Sequence, residues 1–131
     1  MKLFLDTADV KSVKARLSTG LISGITTNPT LIFKSGRHPQ TVYQELIDLG
    51  IDDISMEVVG DSEDELFKNA MGHVKTYDSK ATIKLPCTID GLKACKRLSN
   101  INVRTNVTLI FSPAQAILAS LAGATYISPF I

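Results

Sequence analysis

Short apolar runs alternate with segments of helical periodicity along the whole chain. The runs are nearly continuous in Ile, Val and Leu, which is typical of parallel strands that are covered on both faces. We predict six strands, at residues 3–5, 21–25, 54–59, 81–85, 103–111 and 124–127.

Five helices are predicted between these strands, because each interval combines apolar residues at helical spacing with a start signal. The signals are side chains that cap a helix and prolines that suit its first turn. The predicted starts are Thr7 as an N-cap, Pro39 in a first turn, Ser62 opening a capping box, the region of Thr88, and Ser112 followed by Pro113.

The order of these elements is five βα units followed by a sixth strand, which predicts a parallel sheet with helices packed outside it. No predicted strand is followed by a GxGxxG or GxxxxGK[ST] loop, so the nucleotide-binding forms of such a sheet have no support. We therefore favour an α/β fold of the (β/α)₈ TIM-barrel type. Residues 1–131 would form a single partial barrel domain, with about the first six strands and five helices.

A complete barrel needs at least roughly 200 residues, and this chain has 131. Three explanations stay open, in this order of preference. The sequence is C-terminally incomplete, another chain supplies the last two strands, or the strands form a sheet that is not a barrel. An open six-stranded piece would leave its first and last strands unpaired, which favours association.

Composition limits the partners and the location that we expect. The net charge is +1 and 44% of the residues are hydrophobic, so neither nucleic acid nor an anionic membrane is expected as a partner. No apolar run has the roughly 18–20 residues of a membrane helix, and the N-terminus lacks the apolar core of a signal peptide. We expect a cytoplasmic protein. His38 and His73 stand in no metal-binding pattern, so no metal is predicted.

Polar residues interrupt the apolar strands near their C-terminal ends, which is where barrel enzymes hold their active sites. Every predicted strand contributes at about the same level, so we expect the side chains to converge on one site. The residues are Asp6, the segment Thr26-Thr27-Asn28-Pro29, Glu57, Lys84, Asn106, Thr108, and Ser128 with Pro129 and Phe130 after it.

Lys84 is the centre of the chemical hypothesis. It stands between Ile83 and Leu85, and burial there would disfavour the ammonium and leave some neutral amine. A neutral amine attacks a carbonyl carbon and gives an iminium, which withdraws electrons. Asp6 and Glu57, if both are ionised nearby, would instead raise the pKa of Lys84 and favour its ammonium form.

Cleavage of a carbon–carbon bond then needs partners for Lys84. Asp6 can take the proton of the departing hydroxyl, and Glu57 with Thr108 can hold the water that forms and hydrolyses the iminium. Amide and hydroxyl groups that can hydrogen-bond to a sugar are those of Asn28, Asn106 and Ser128.

Each of these residues also has an ordinary explanation when it is taken alone. Lys84 fits a strand-end lysine that extends to solvent. Asp6 fits a turn or a helix cap, and Glu57 fits an exposed position on a half-buried strand. Asn28-Pro29 is a turn signal. The catalytic interpretation therefore depends on their common position at the ends of six strands.

The same residues lie in motifs that resemble the transaldolase family, in its short single-barrel form, which includes the fructose-6-phosphate aldolases. The motifs keep the family's order over essentially the whole chain, and two of them, TTNPT and NVTLIFS, are highly specific. They are LDT at 5–7, TTNPT at 26–30, IKLP at 83–86, NVTLIFS at 106–112 and ISPF at 127–130.

The resemblance implies a class I enzyme without a cofactor, which transfers a dihydroxyacetone unit from a ketose phosphate to an aldose phosphate in the pentose phosphate pathway. It implies that Lys84 forms the Schiff base and that Asp6 is the acid and base at the cleaved bond. Glu57 and Thr108 would position the catalytic water. The implied substrate-binding residues are Asn28, Asn106, Ser128, Thr26 and Phe130.

Two alternatives to a transaldolase remain open. Fructose-6-phosphate aldolases related to this family carry Gln at the position of Glu57 and Tyr at that of Phe130, so both positions favour transfer over simple cleavage. The second alternative is a truncated, non-catalytic barrel fragment, because the family's phosphate-binding Arg and Ser lie beyond the segment that matches Ile131. The resemblance also implies sugar-phosphate substrates, and either a homo-oligomer at full length or a complementing chain.

Overall fold

The computed structural model describes every residue from Met1 to Ile131. The strands are β1 (Leu3–Asp6), β2 (Ile22–Thr26), β3 (Ile54–Glu57), β4 (Ala81–Pro86), β5 (Thr105–Ile110) and β6 (Tyr126–Pro129). The helices are α1 (Val10–Leu17), α2 (Pro29–Lys34), α3 (Pro39–Asp48), α4 (Glu63–Tyr77), α5 (Ile89–Asn100) and α6 (Pro113–Leu121). All six predicted strands are confirmed, with ends that differ from the prediction by up to two residues.

The strands form one parallel sheet in which sequence neighbours pair, in the order β1-β2-β3-β4-β5-β6. The sheet curls enough for side chains of its two outer strands to touch. The rings of Phe4 and Tyr126 meet edge to face with centroids 5.3 Å apart, and Lys2 Nζ donates to the Tyr126 hydroxyl at 2.9 Å. The predicted fold class is therefore confirmed, and the sheet is a partial (β/α)₈ barrel.

Side-chain caps begin most of the helices where the sequence predicts them. The hydroxyls of Ser62, Thr88 and Ser112 accept hydrogen bonds from the third residue that follows each of them. The prediction for α1 was wrong: its N-cap is Asp9, and the Thr7 hydroxyl accepts from the Asp9 N–H outside the helix. The Asp9 carboxylate caps the helix instead of the Thr7 hydroxyl, because it accepts a hydrogen bond from the N–H of Lys11 in the first turn.

Helix α2 was not predicted, because Asn28-Pro29 was interpreted as a turn signal. In the structure the Asn28 side chain accepts from the Leu31 N–H at 2.9 Å and Pro29 occupies the first turn. Both residue types suit a helix start as well as a turn. With only 6 residues, α2 is too short to show the apolar repeat from which the other helices were predicted.

The apolar core lies between the sheet and the helices rather than inside the curl of the sheet. Alternate residues of the central strands point outward to the helices, and all of these are completely buried. They are Ile25, Ile54, Met56, Ile83, Leu85 and Val107. None of the helices combines the length and the apolar character that spanning a membrane requires.

The opposite set of strand positions faces the concave side of the sheet, which is called the lumen below. At its N-terminal end the lumen is closed by a polar cluster around Asp53, which is 3% exposed. Its carboxylate accepts from the Thr82 hydroxyl at 2.6 Å, from the Tyr126 hydroxyl at 2.8 Å and from Arg104 Nη1 at 3.0 Å. The buried charge is therefore matched by three donors from three strands or their ends.

Candidate active site

Strand alternation brings most of the predicted site residues to the C-terminal half of the lumen. In the registers of the parallel pairs, Asp6 lies beside Thr26, Glu57 beside Lys84, and Lys84 beside Asn106. Because these residues alternate with the apolar ones that face the helices, their side chains share the concave side of the sheet. The expected convergence of polar groups from several strands is therefore present in the fold.

Lys84 is 8% exposed, in the middle of the central strand β4. Its Nζ donates to the main-chain carbonyl of Thr27 at 3.2 Å. The carboxylate of Glu57 lies 4.0 Å from the same nitrogen. Lys84 is thus held inside the lumen and does not extend to solvent, which removes the ordinary explanation of a strand-end lysine.

Glu57 ends β3 and remains partly accessible, with 28% of its side chain exposed. Burial raises the pKa of its carboxyl group, and the nearby charge of Lys84 opposes that rise. Glu57 also lines a cavity of about 370 Å³, together with Tyr43 and His73. A carboxylate between a lysine and a cavity that can hold water is suited to exchanging protons with that water.

Asp6 ends β1 at the open edge of the sheet. The Thr26 hydroxyl donates to Asp6 Oδ1 at 2.8 Å, so one carboxylate oxygen has a fixed partner. Asp6 also lines a cavity of about 210 Å³, together with Thr7, Ser12 and Arg16. The sequence predicted Thr26 among the residues that bind substrate, whereas its hydroxyl hydrogen in the structure is directed to Asp6.

Asn106 connects two further polar side chains across the lumen. Its Nδ2 donates to the Ser55 hydroxyl at 3.1 Å, and its Oδ1 accepts from the Ser128 hydroxyl at 2.8 Å. The buried Ser55 was not predicted, although its position two residues before Glu57 places it on the lumen side. These two hydrogen bonds orient the side chains of Asn106 and Ser128, which the sequence analysis assigned to the binding of sugar hydroxyls.

Asn28 is less free than the sequence suggested. Its side-chain oxygen accepts from the Leu31 N–H as the cap of α2, so its amide NH₂ is the part that remains for other partners. The preceding residue, Thr27, was not singled out from the sequence and contributes the carbonyl that holds Lys84. Main-chain contacts of this kind leave no signal in residue type.

Thr108 and Phe130 stand at the mouth of the lumen. Thr108 is 8% exposed and belongs to β5, two residues beyond Asn106 on the same side. Phe130 follows β6, is 60% exposed, and stacks on the ring of Phe111. No hydrogen bond or ion pair joins either residue to Lys84, so their predicted roles rest on their position at the mouth.

No group of three or more His, Cys, Asp or Glu side chains is arranged to hold a metal ion. The C-terminal half of the lumen contains one buried amine, two carboxylates at strand ends, and the amide and hydroxyl groups beside them.

A partial (β/α)₈ barrel with a buried lysine among acidic and amide side chains at the C-terminal ends of its strands defines a candidate active site. Comparison with known families makes this more specific. The family model described as "Transaldolase/Fructose-6-phosphate aldolase" matches residues 3–131. The chain belongs to that family, as its motifs indicated.

Curated relatives support the same family. The chain is 47% identical over 131 residues to a "Probable transaldolase" of Geobacter sulfurreducens and 49% identical to one of Geotalea uraniireducens. It is 47% identical to a "Probable transaldolase" of Streptococcus pyogenes. Each match covers 100% of this chain and 61% of the relative, so the chain spans about three fifths of the length of these proteins.

Proposed function

We propose that this chain carries the catalytic residues of a transaldolase, which transfers a dihydroxyacetone unit from a ketose phosphate to an aldose phosphate in the pentose phosphate pathway. The observation that carries the proposal is the position of Lys84, an 8% exposed amine in the lumen with Glu57 at 4.0 Å. Family membership and the names of the relatives favour the same reaction.

The first steps would form and use a Schiff base on Lys84. The amine attacks the C2 carbonyl of the ketose, and loss of water gives an iminium. The carboxylate of Asp6 removes the proton of the C4 hydroxyl, the bond between C3 and C4 breaks, and its electron pair moves to the iminium nitrogen. An aldose phosphate leaves and an enamine stays on Lys84. The hydrogen bond from Thr26 keeps the Asp6 carboxylate in one orientation.

Transfer runs these steps backwards with a second aldose. The enamine carbon attacks the aldehyde carbon of the acceptor, and Asp6 returns a proton to the new hydroxyl. Water then attacks the iminium carbon and releases the product, which restores the amine. Glu57 and Thr108 would hold and activate that water. The raised pKa of Glu57 favours this role, because an acid with a pKa nearer neutrality exchanges protons more readily at neutral pH.

Donor hydroxyls would be bound by Ser128, Asn106 and the free amide of Asn28. The hydrogen-bonded series from Ser128 to Asn106 to Ser55 supports this part of the proposal, since it orients two polar groups before any sugar is present. Phe130 would add an apolar wall at the mouth.

Reductive trapping tests the proposal directly. The chain is incubated with dihydroxyacetone or fructose 6-phosphate and borohydride, and the modified lysine is located by mass spectrometry. We expect one adduct, on Lys84, and none in Lys84→Arg. Lys80→Arg is the matched control, because Lys80 immediately precedes the same strand and pairs with Asp52 at the surface. Absence of an adduct, or an adduct on another lysine, would contradict the assignment.

Turnover distinguishes transfer from simple cleavage. A transferase releases glyceraldehyde 3-phosphate from fructose 6-phosphate over many turnovers only when an acceptor aldose such as erythrose 4-phosphate is present. Glu57 and Phe130 favour that outcome, because these are the two positions at which the related aldolases carry other residues. Many turnovers without an acceptor would instead identify a fructose-6-phosphate aldolase.

Further expectations belong to the same proposal. Sugar phosphates are the proposed substrates, and no resident cofactor is included in the mechanism. Residues 1–131 are proposed to form a single partial barrel domain of a cytoplasmic protein, which either forms a homo-oligomer at full length or is complemented by another chain that supplies the last two strands.

A further inference from the structure

Two large aromatic rings lie exposed side by side at the mouth of the lumen. Phe111 follows β5 and Phe130 follows β6. Their rings stack with centroids 5.0 Å apart and an angle of 21° between the planes. They are 66% and 60% exposed. The two stacked rings form a small apolar patch at this end of the sheet.

A bulge in β5 brings Phe111 to this position. Val107 pairs with Ile127 and Ile110 pairs with Pro129, so two residues of β5 stand opposite the single residue Ser128 of β6. One of the two, Leu109, has a φ of +59°, which is rare for a residue with a branched side chain.

The extra residue shifts the alternation of side chains by one position. Ile110 is 1% exposed and joins the outer core, as Val107 does before the bulge. Phe111 is therefore directed to the lumen side with Thr108. Without the bulge, the side chain of Phe111 would face the helices, on the same side of the sheet as Val107.

The backbone of both phenylalanines is anchored by hydrogen bonds from their N–H groups. The Phe111 N–H donates to Gln115 Oε1 at 2.7 Å, and Gln115 is fixed in the first turn of α6, where its N–H donates to the Ser112 hydroxyl. The Phe130 N–H donates to the carbonyl of Ile110 at 2.9 Å. The stacked pair is thus built on two anchored segments rather than on free loop ends.

We propose that Phe111 is a positioning residue that holds the ring of Phe130 over the mouth of the lumen, so that the pair limits the access of bulk water to an intermediate on Lys84. This inference rests on the proposed Schiff-base function. An enamine on Lys84 can react in two ways: its carbon attacks the acceptor aldehyde, or the same carbon takes a proton from water and returns to an iminium. Exclusion of water slows the second reaction.

Exchange with heavy water measures that second reaction without any need for a sugar phosphate. Dihydroxyacetone forms an iminium on Lys84, loses a proton from the carbon next to the iminium carbon to Asp6, and takes a deuteron at the same carbon. Hydrolysis then releases labelled dihydroxyacetone. The rate of labelling, divided by the amount of borohydride-trapped adduct, reports how readily water reaches the enamine. Labelling by Lys84→Met is subtracted as background.

Phe111→Ala should raise this ratio by about three- to tenfold, the range that corresponds to loss of an aromatic pair. Phe111→Tyr keeps the stack and should retain the wild-type ratio. Ile117→Ala is the matched control, because Ile117 is similarly exposed at 60% but lies within α6 and is not part of the stacked pair. An unchanged ratio in a Phe111→Ala protein that still forms the adduct overturns the inference.

A second measurement does not depend on catalysis. In protein labelled with 4-fluorophenylalanine, the resonance of Phe130 is assigned by its loss in Phe130→Leu. We expect Phe111→Ala to shift and broaden that resonance, and Phe111→Tyr and Ile117→Ala to leave it nearly unchanged. An unaltered Phe130 resonance in Phe111→Ala overturns the positioning role. If the wild type forms no adduct on Lys84, the proposed function fails, whereas the resonance still decides whether Phe111 positions Phe130.

Discussion

Lys84 and Glu57 stand directly opposite each other on β4 and β3, and Lys84 Nζ lies 4.0 Å from Glu57 Oε2. Burial raises the pKa of Glu57, and Lys84 opposes this only in part. A folded-state pKa above the unfolded-state value means that the proton on Glu57 contributes stability at low pH. That contribution is lost as the pH rises through the folded-state pKa.

Glu57→Gln should therefore remove this pH dependence, because the amide carries no charge to desolvate. We expect its free energy of unfolding to be close to the wild-type value at low pH, where Glu57 is protonated, and to exceed it at pH 7. Urea unfolding at a series of pH values measures the difference. Asp61→Asn, which makes the same kind of change at an exposed position, is the control for the substitution itself. A Glu57→Gln protein that is less stable than wild type at pH 7 would mean that attraction to Lys84 outweighs the cost of burial.

The hydrogen bond between Thr26 and Asp6 predicts a separation of two chemical steps. Asp6→Asn should still form the Lys84 adduct with dihydroxyacetone but lose about 10²–10⁴-fold in the rate of carbon–carbon cleavage. Thr26→Val, which removes the donor to Asp6, should lose about tenfold. Single-turnover release of glyceraldehyde 3-phosphate, compared with borohydride trapping, gives the two rates. Asp9→Asn is the control, since asparagine caps α1 as well as aspartate does. Loss of the adduct itself in Asp6→Asn would assign Asp6 to an earlier step.

The parts of the fold that local residue patterns encode were predictable from sequence. Continuous apolar runs predicted the six strands, and the hydroxyls of Ser62, Thr88 and Ser112 predicted three helix starts. Polar residues near the C-terminal ends of these strands, Lys84 and Asn106 among them, predicted that their side chains converge on one site. Such patterns depend on a few neighbouring residues, so no distant contact is needed to recognise them.

Features that depend on contacts between distant segments were not predictable in the same way. The carbonyl of Thr27 reaches Lys84 only because α2 begins directly after it, and α2 is too short to show a helical repeat. The bulge that turns Phe111 to the lumen arises from the pairing of β5 with β6. Apolar side chains occupy both sides of that segment, so its sequence carries no signal for the shift.

Two glycines in helices should respond in opposite ways to alanine. A Cβ on Gly91 would lie 2.0 Å from the carbonyl oxygen of Pro86, which ends the strand that carries Lys84. Gly91→Ala should therefore cost about 1–3 kcal/mol of stability and slow adduct formation on Lys84. A Cβ on Gly72 meets nothing within 4 Å in the interior of α4, so Gly72→Ala should add about 0.5–1 kcal/mol. Thermal and urea unfolding of the two variants test this contrast. A Gly91→Ala protein as stable as wild type would mean that α5 can move away from Pro86 freely.

Neighbouring aspartates at the N-terminal end of the lumen should differ strongly in importance. Asp53 is 3% exposed and accepts from Thr82, Tyr126 and Arg104. Asp53→Asn replaces one acceptor oxygen by an NH₂ group that faces donors and leaves the Arg104 charge without its partner. We expect a loss of about 3–5 kcal/mol in the free energy of unfolding.

Asp52 is the matched control for Asp53. Its side chain is 75% exposed, and its ion pair with Lys80 is open to solvent and to salt. Asp52→Asn should cost less than about 1 kcal/mol, and that cost should fall as salt is added. Urea unfolding at low and high salt gives both comparisons. Equal losses in the two variants would show that the three donors around Asp53 do not act as a buried network.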